Sequence, residues 1–422
     1  MSPTTRLSDA DQATLAGERG PGPQLAMSIV TRMAAVLGAP SLMDISAAHI
    51  DSTIFVGDAG LEFAERLAGL DAKVAVPTTL NVSGVDEHHW RDWPVPADWA
   101  DKSRRQMQAY ASMGAELTWT CAPYQTEWRP SFGQQIAWGE SNAIAFANSV
   151  LGARTERYPD LMDVCCAITG RVPARGLHLT ENRSGQILLR LTDIPHALQA
   201  ADEFYPVLGH LVGAIAQDRI PVILGLDVSP TDDQLKALSA AVATSGAVAL
   251  YHLVGVTPEA PTLSAAFHDE RPPKAIDISM QDLRAARTQL TTAHSDQLDM
   301  VVLGSPHYSA AEFKRLAPLL EGRHRDPTVR FLVTTSRLMA AIAEDAGHLD
   351  ALERFGGQVT VDTCILATPM LPTDVKLLMT NSAKYAYYAP GLLGTRVTYG
   401  STEDCVRSAV AGRVVRDESL WA

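Results

Sequence analysis

The sequence predicts an α/β protein in which parallel sheets are flanked by helices and gathered in two or three lobes around one cleft. Three observations carry that expectation. From Pro221 onward, short β-branched runs alternate with stretches whose apolar residues recur at helical spacing, the pattern of parallel strands joined by crossover helices. The strand-like runs lack polar alternation, as strands covered on both faces do. With 422 residues, 46% of them hydrophobic, the chain can bury more than one core.

In chain order, the less regular first half predicts helices at 9–17, 24–37, 61–67 and 98–113, with a strand at 72–76. The second half predicts strands at 221–227, 247–254, 300–304, 330–334 and 358–363. Helices at 232–243, 280–292, 310–320 and 336–346 fall between them. Soft boundaries near Pro195 and Ser309 divide the chain into three lobes. These are 1–195 with Cys121 and the polar loops, 196–308, and 309–422 with Cys364 and Cys405.

The net charge of −13 leaves no basic surface for a polyphosphate, which excludes nucleic acid and argues equally against attraction to a membrane surface. The longest apolar runs are strand-length and far short of the ~20 residues a spanning helix needs. No signal peptide is read at the N-terminus, and a cytoplasmic protein is expected. Five cysteines, Cys121, Cys165, Cys166, Cys364 and Cys405, are odd in number and scattered, unlike a secreted disulfide framework. Reduced thiols are therefore available as ligands.

Cys121 and Cys364 follow strand-like stretches, where open α/β sheets assemble their sites. Three thiolates with one open position are what a catalytic iron–sulfur cluster needs, since an uncapped iron can act as a Lewis acid. Isolated cysteines are more often small buried hydrophobes, and Cys165 and Cys166 read as packing. The other chemistry lies in polar strings. Thr78, Thr79, Asn81 and Ser83 form a loop suited to holding a carboxylate-bearing ligand, although such a loop is otherwise only a turn. Glu140, Ser141, Asn142, Asn148, Ser149 and Arg154 fall on one expected helix and its exit, with Arg154 able to clamp a carboxylate or to make a surface ion pair. Lys384 is a candidate cation beside a cluster, and His49, like His178, His252 and His307, is either a base or a structural histidine.

Together these strings resemble the large part of the aconitase X family. Those that carry the resemblance include Leu15-Ala-Gly-Glu-Arg-Gly20, Pro77-Thr-Thr-Leu-Asn81, Thr120-Cys-Ala-Pro-Tyr124, Trp138-Gly-Glu-Ser-Asn142, Asn148-Ser-Val-Leu-Gly-Ala-Arg-Thr155, Gly304-Ser-Pro-His307, Asp362-Thr-Cys364 and Ser382-Ala-Lys-Tyr385. The resemblance runs from about Leu7 to Gly412. It implies an aconitase-like fold, dehydration of a small hydroxycarboxylate, and an iron–sulfur cluster on Cys121, Cys364 and Cys405. Lys384, Arg154 and His49 are then the candidate catalytic residues. Ser305 stands where some relatives have a cysteine, which leaves a two-iron, three-iron or four-iron cluster open. The implied substrates are cis-3-hydroxy-L-proline, favoured because no Gly-rich phosphate loop is present, or mevalonate 5-phosphate. Aconitase-like enzymes complete the site with a small swivelling domain, so a separate small subunit is expected as partner. A non-catalytic iron–sulfur sensor is the rival of another class.

Overall fold

The computed structural model describes residues 5–422 and contains three parallel sheets with helices packed against them. The first lobe contributes β1 (Leu42–Asp44), β2 (Ala47–Ile50), β3 (Thr78–Leu80), β4 (Ile136–Trp138) and β5 (Arg171–Pro173). Its parallel sheet runs in the order β3-β2-β4, while β1 and β5 pair antiparallel. The second lobe follows with β6 (Ile187–Leu191), β7 (Pro221–Leu224), β8 (His252–Leu253) and β9 (Ile276–Ile278), ordered β8-β7-β6-β9. The third holds β10 (Met300–Leu303), β11 (Arg330–Thr335), β12 (Gln358–Val361), β13 (Leu377–Thr380) and β14 (Arg396–Tyr399), ordered β12-β11-β10-β13-β14. In that last sheet the chain starts at the centre, winds outward one way and then the other. The reversal leaves a crevice at the carboxyl ends of β10 and β13, the usual location of a ligand site in such sheets.

Helices begin where the sequence supplies caps. Thr231, Ser309 and Ser401 each open a helix with a capping box, the hydroxyl accepting from the third residue's N–H while that residue's side chain answers the cap's own N–H. In the second lobe, helix Phe204–Ala216 lies against helix Asp232–Ser245 at glycine distance. A Cβ at Gly209 would stand 2.7 Å from the Leu238 carbonyl, and one at Gly213 would stand 2.7 Å from that of Val242. One apolar core runs through the first two lobes and into the third, and a second lies inside the third. Among the described residues no helix is long and apolar enough to cross a membrane.

The strand expected at 72–76 is absent. Val74 N–H donates to the Met113 carbonyl and Ala75 N–H to that of Ala167, so helix ends satisfy this backbone and pairing begins only at Thr78.

Candidate active site

Three residues stand at the carboxyl ends of the first-lobe sheet: Asp51 after β2, Asn81 after β3 and Glu140 after β4. Asn81 N–H donates to the Ile50 carbonyl at 2.9 Å, and Gly139 N–H to that of His49 at 2.9 Å, so the ladder continues into the site. Gly139 is glycine for lack of room, since a Cβ there would lie 2.7 Å from Asp51 Cβ and 2.9 Å from Asp163 Oδ2. Asn81 Nδ2 donates to Asp51 Oδ1. Glu140 caps helix Ser141–Phe146 by accepting Ala143 N–H at 3.0 Å, and it also accepts from Asn142 Nδ2. Asn142 Nδ2 donates as well to the Cys121 carbonyl at 2.9 Å, while its Oδ1 accepts from the Tyr124 hydroxyl at 2.7 Å.

The third lobe faces this edge with its own strand ends. Lys384, in the first turn of helix Ala383–Leu392 behind β13, donates to Glu140 Oε1 at 2.6 Å across the cleft. Burial alone would push Lys384 down, but Glu140 and the Cys121 and Cys364 thiols outweigh it and hold the ammonium well above the usual lysine range. Cys364, three residues past β12, packs in one small apolar cluster with Cys121, Val82, Ala367 and Ile54. Burial pushes the Cys121 thiol up to about 12, with Glu140 adding to the rise and Lys384 opposing it; burial likewise raises Cys364. His307 N–H donates to Cys121 Sγ at 3.2 Å, the type of contact that steadies a metal-bound thiolate. The same residue's Nε2–H donates to the Thr363 carbonyl at 3.1 Å, which leaves a buried Nδ1 with no partner. Ser305, Ser382 and Lys384 border an adjoining cavity of about 330 Å³ whose far wall includes Lys236 and Glu312.

Several expected site residues lie elsewhere. Cys405 is fully buried in the inner core of the third lobe, in a different apolar cluster from Cys121 and Cys364. The reason is local: Ser401 and Asp404 form a capping box that winds residue 405 into helix Thr402–Ala411, where its thiol packs as a hydrophobe. Among the described residues no three His, Cys, Asp or Glu side chains are placed to hold a metal ion. Arg154 points away from the cleft and donates to Thr180 Oγ1 at 2.7 Å and to the His178 carbonyl at 3.3 Å. Asn148 bonds the Thr155 and Ala249 carbonyls, Thr155 N–H and Arg183, and Ser149 accepts Tyr251 N–H at 2.8 Å. Both fasten the first lobe to the second, and Asn148 has no capacity left for a ligand.

His49 is buried in the sheet with Nδ1 on Thr79 Oγ1 at 2.8 Å and Nε2 without a partner, and burial lowers it to about 3. No hydrogen bond links it to Lys384, Glu140 or either cysteine. Thr79 is thereby a partner of His49, and Thr78 bonds the Val76 carbonyl at 2.8 Å. Ser83 bonds the Val85 carbonyl at 2.5 Å, and its N–H reaches the Asp362 carbonyl, so it clasps the first lobe to the Cys364 loop. Ser141 is half-buried, with its hydroxyl 3.5 Å from Glu140. The structure therefore brings together Cys121, Cys364, Glu140, Asn142, Lys384 and Asn81. Sequence reasoning missed Asp51 as a site residue and left His307 undecided between a base and a structural histidine. Asp51 directly follows β2 and His307 lies four residues past β10, and those positions were the available signal.

Comparison with known proteins gives one consistent match. Three family models cover the chain in succession: aconitase X first domain over residues 4–181, second domain over 185–288 and third domain over 298–411. A cis-3-hydroxy-L-proline dehydratase of Pseudomonas aeruginosa is 48% identical over 99% of this chain and 72% of its own length. The phosphomevalonate dehydratase large subunit of Methanothermobacter thermautotrophicus is 37% identical over 93% of this chain and 95% of its own. The crystal structure of Thermococcus kodakaraensis aconitase X in its holo-form superposes with a TM-score of 0.85 at 32% identity, covering 96% of this chain and 100% of that one.

Proposed function

This chain belongs to the aconitase X family of hydro-lyases, and from that premise we propose that it is the cluster-bearing large part of a cis-3-hydroxy-L-proline dehydratase. The observation that carries the substrate is the charge of the site. Lys384 is already paired with Glu140, while Asp51 and Asp163 add carboxylates beside it. A zwitterionic amino acid is neutral overall and suits such a cleft, whereas a phosphorylated hydroxy acid would bring several negative charges to one committed cation. The 48% identity to a relative bearing that activity supports the same reading.

The donors fit an iron–sulfur cluster at two positions. Cys121 and Cys364 share one apolar cluster beside a lysine, and a backbone N–H already addresses one sulfur. They are the residues that would hold it, and when bound it would supply Lewis acidity toward the leaving hydroxyl. The chain's own groups do the rest. Lys384, held protonated by Glu140, stabilises the negative charge that grows on the substrate carboxylate as the α-proton leaves. Asn142 ties Glu140 to the Cys121 backbone, so the ion pair and the thiol keep one spacing. The Cα–H and C–OH bonds break, water is released, and the resulting enamine tautomerises to Δ1-pyrroline-2-carboxylate.

The α-proton base belongs to a small swivelling subunit that closes the cleft and excludes water. Relatives named as large subunits support this arrangement. So does Val56, 75% exposed and two residues past Ile54 in the Cys121 cluster. All five cysteines are free, which suits a reducing cytoplasm. The test is turnover of cis-3-hydroxy-L-proline and of mevalonate 5-phosphate by the cluster-loaded chain, with and without its small partner. Turnover of the phosphorylated acid alone would overturn the substrate, and full activity of the isolated chain would overturn the partner.

A further inference from the structure

We infer that Asp51 and Asn81 together form a clamp for a secondary ring ammonium, taking its two N–H groups on a carboxylate oxygen and an amide oxygen. The inference rests on the substrate reading above and names the part of the cleft that recognises the amine.

The geometry begins with Asn81, which is 1% exposed. Its Nδ2 is committed to Asp51 Oδ1, and that bond fixes which end of the amide is which, because a carboxylate can only accept. Asn81 Oδ1 is then left buried with no partner. A buried acceptor without a donor costs about 1–3 kcal/mol, so its persistence at a strand end points to a donor that arrives with a ligand. Asp51 supplies the second acceptor. It takes only the Asn81 bond on Oδ1, and among the described residues no hydrogen bond reaches Oδ2.

Two acceptors side by side, one charged and one neutral, match a protonated secondary amine, which has two N–H donors and one positive charge. A primary ammonium would leave one N–H over, and an alcohol would supply one donor and no charge. Neighbouring groups do not take its place. Lys384 gives an N–H to Glu140 and no hydrogen bond from it reaches Asp51 or Asn81, and Asp163 is saturated by Ser52 together with the N–H groups of Asp51, Ser52 and Val164. Burial, with Glu140 and Asp163 adding to it, holds the Asp51 carboxyl well above the usual carboxylate range in the empty cleft, so the charged form used by the clamp is the one an arriving ammonium stabilises. Gly139 leaves room for the Asp51 loop to close on the strand end.

The experiment uses the holoenzyme, with the cluster loaded and the small partner present. Two competitive ligands are compared by calorimetry and by inhibition: L-proline, and tetrahydrofuran-2-carboxylate, in which oxygen replaces the ring ammonium. The wild-type protein should prefer L-proline by at least about 30-fold, the lower end for a desolvated charge pair. Asp51→Asn should bring that preference to within about threefold, since it removes the charge and offers the ring oxygen of the analogue a donor. Asn81→Ser, which keeps the charge and removes the amide oxygen, should lower it by about tenfold; this variant decides the matter where thermal melting shows that Asp51→Asn does not fold. A wild-type protein without the preference, or variants that retain it, would overturn the clamp while hydroxyproline turnover left the substrate reading intact. Absence of wild-type turnover would overturn both.

Discussion

Two buried ionic networks in this molecule differ in one respect, the number of hydrogen-bonding positions left empty. Arg183, with 1% of its side chain exposed, uses its whole fork: Nε on Glu259, one terminal nitrogen on Asn148 Oδ1 and the Leu177 carbonyl, the other on the Asn148 and Ala153 carbonyls. Lys384 and Glu140 form an equally close pair at 2.6 Å, yet Asn81 Oδ1 and His307 Nδ1 near them are buried without partners. Every N–H of the Arg183 fork is spent on the fold, and the one empty position beside it is Nδ1 of His252, whose other ring nitrogen bonds the Arg183 carbonyl. The Lys384 network carries a cost that only a ligand removes, and it lies where two sheets present their carboxyl edges to each other.

The sharpest test of that contrast removes one cation from each network. Arg183→Met should destabilise the protein by about 3–5 kcal/mol, since it strands Glu259 and three carbonyls. The kcat/KM of the protein that remains folded should not change. Lys384→Met should lower kcat/KM by about 30-fold to several thousand-fold. Its cost in melting temperature should be smaller, because Glu140 keeps its bonds from Ala143 N–H and Asn142 Nδ2. Equal effects of the two substitutions on kcat/KM would erase the distinction.

A smaller effect is expected from the cysteines. Cys121→Ser or Cys364→Ser should abolish iron retention in the reconstituted protein, measured by metal analysis and visible absorption. Cys405→Ser should keep its iron and lose about 1–3 kcal/mol of stability through burial of a hydroxyl with no partner. Iron lost from the Cys405 variant while its melting temperature held would return that residue to the site.

Part of the second half of the fold was legible because strands covered on both faces are continuous apolar runs, and 330–334 and 358–363 read as β11 and β12, whereas β9, β13 and β14 passed unread and only His252–Leu253 of the run 247–254 pairs as β8. The first-lobe strands β2, β3 and β4 are only three or four residues long and too brief for a periodic signal. In the site, Cys121, Cys364, Glu140 and Lys384 were legible from residue type and from resemblance. Sequence does not reveal which loops converge, so Asp51 passed unnoticed beside His49, the residue that looked more reactive. Cys405 had the composition of a ligand, but the capping box at Ser401 and Asp404 already marked it as helical.

The smallest predicted effect is at Arg154, which sequence reasoning placed against the substrate. A guanidinium in a polar string reads as a carboxylate clamp only while its direction is unknown. Here the side chain is 16% exposed and lies 4.0 Å from Glu259, a carboxylate that Arg183 already holds at 2.8 Å. Truncation therefore leaves Glu259 paired and removes mainly the bonds to Thr180 Oγ1 and the His178 carbonyl. Arg154→Ala should cost about 1 kcal/mol of stability, the worth of one ordinary hydrogen bond after exchange with water. Its kcat/KM should stay within about twofold of wild type, against the 30-fold or greater loss expected of a desolvated substrate clamp. A large kinetic defect with unchanged melting would show that this arginine swings into the cleft when the small partner closes, and would move the boundary between the two networks.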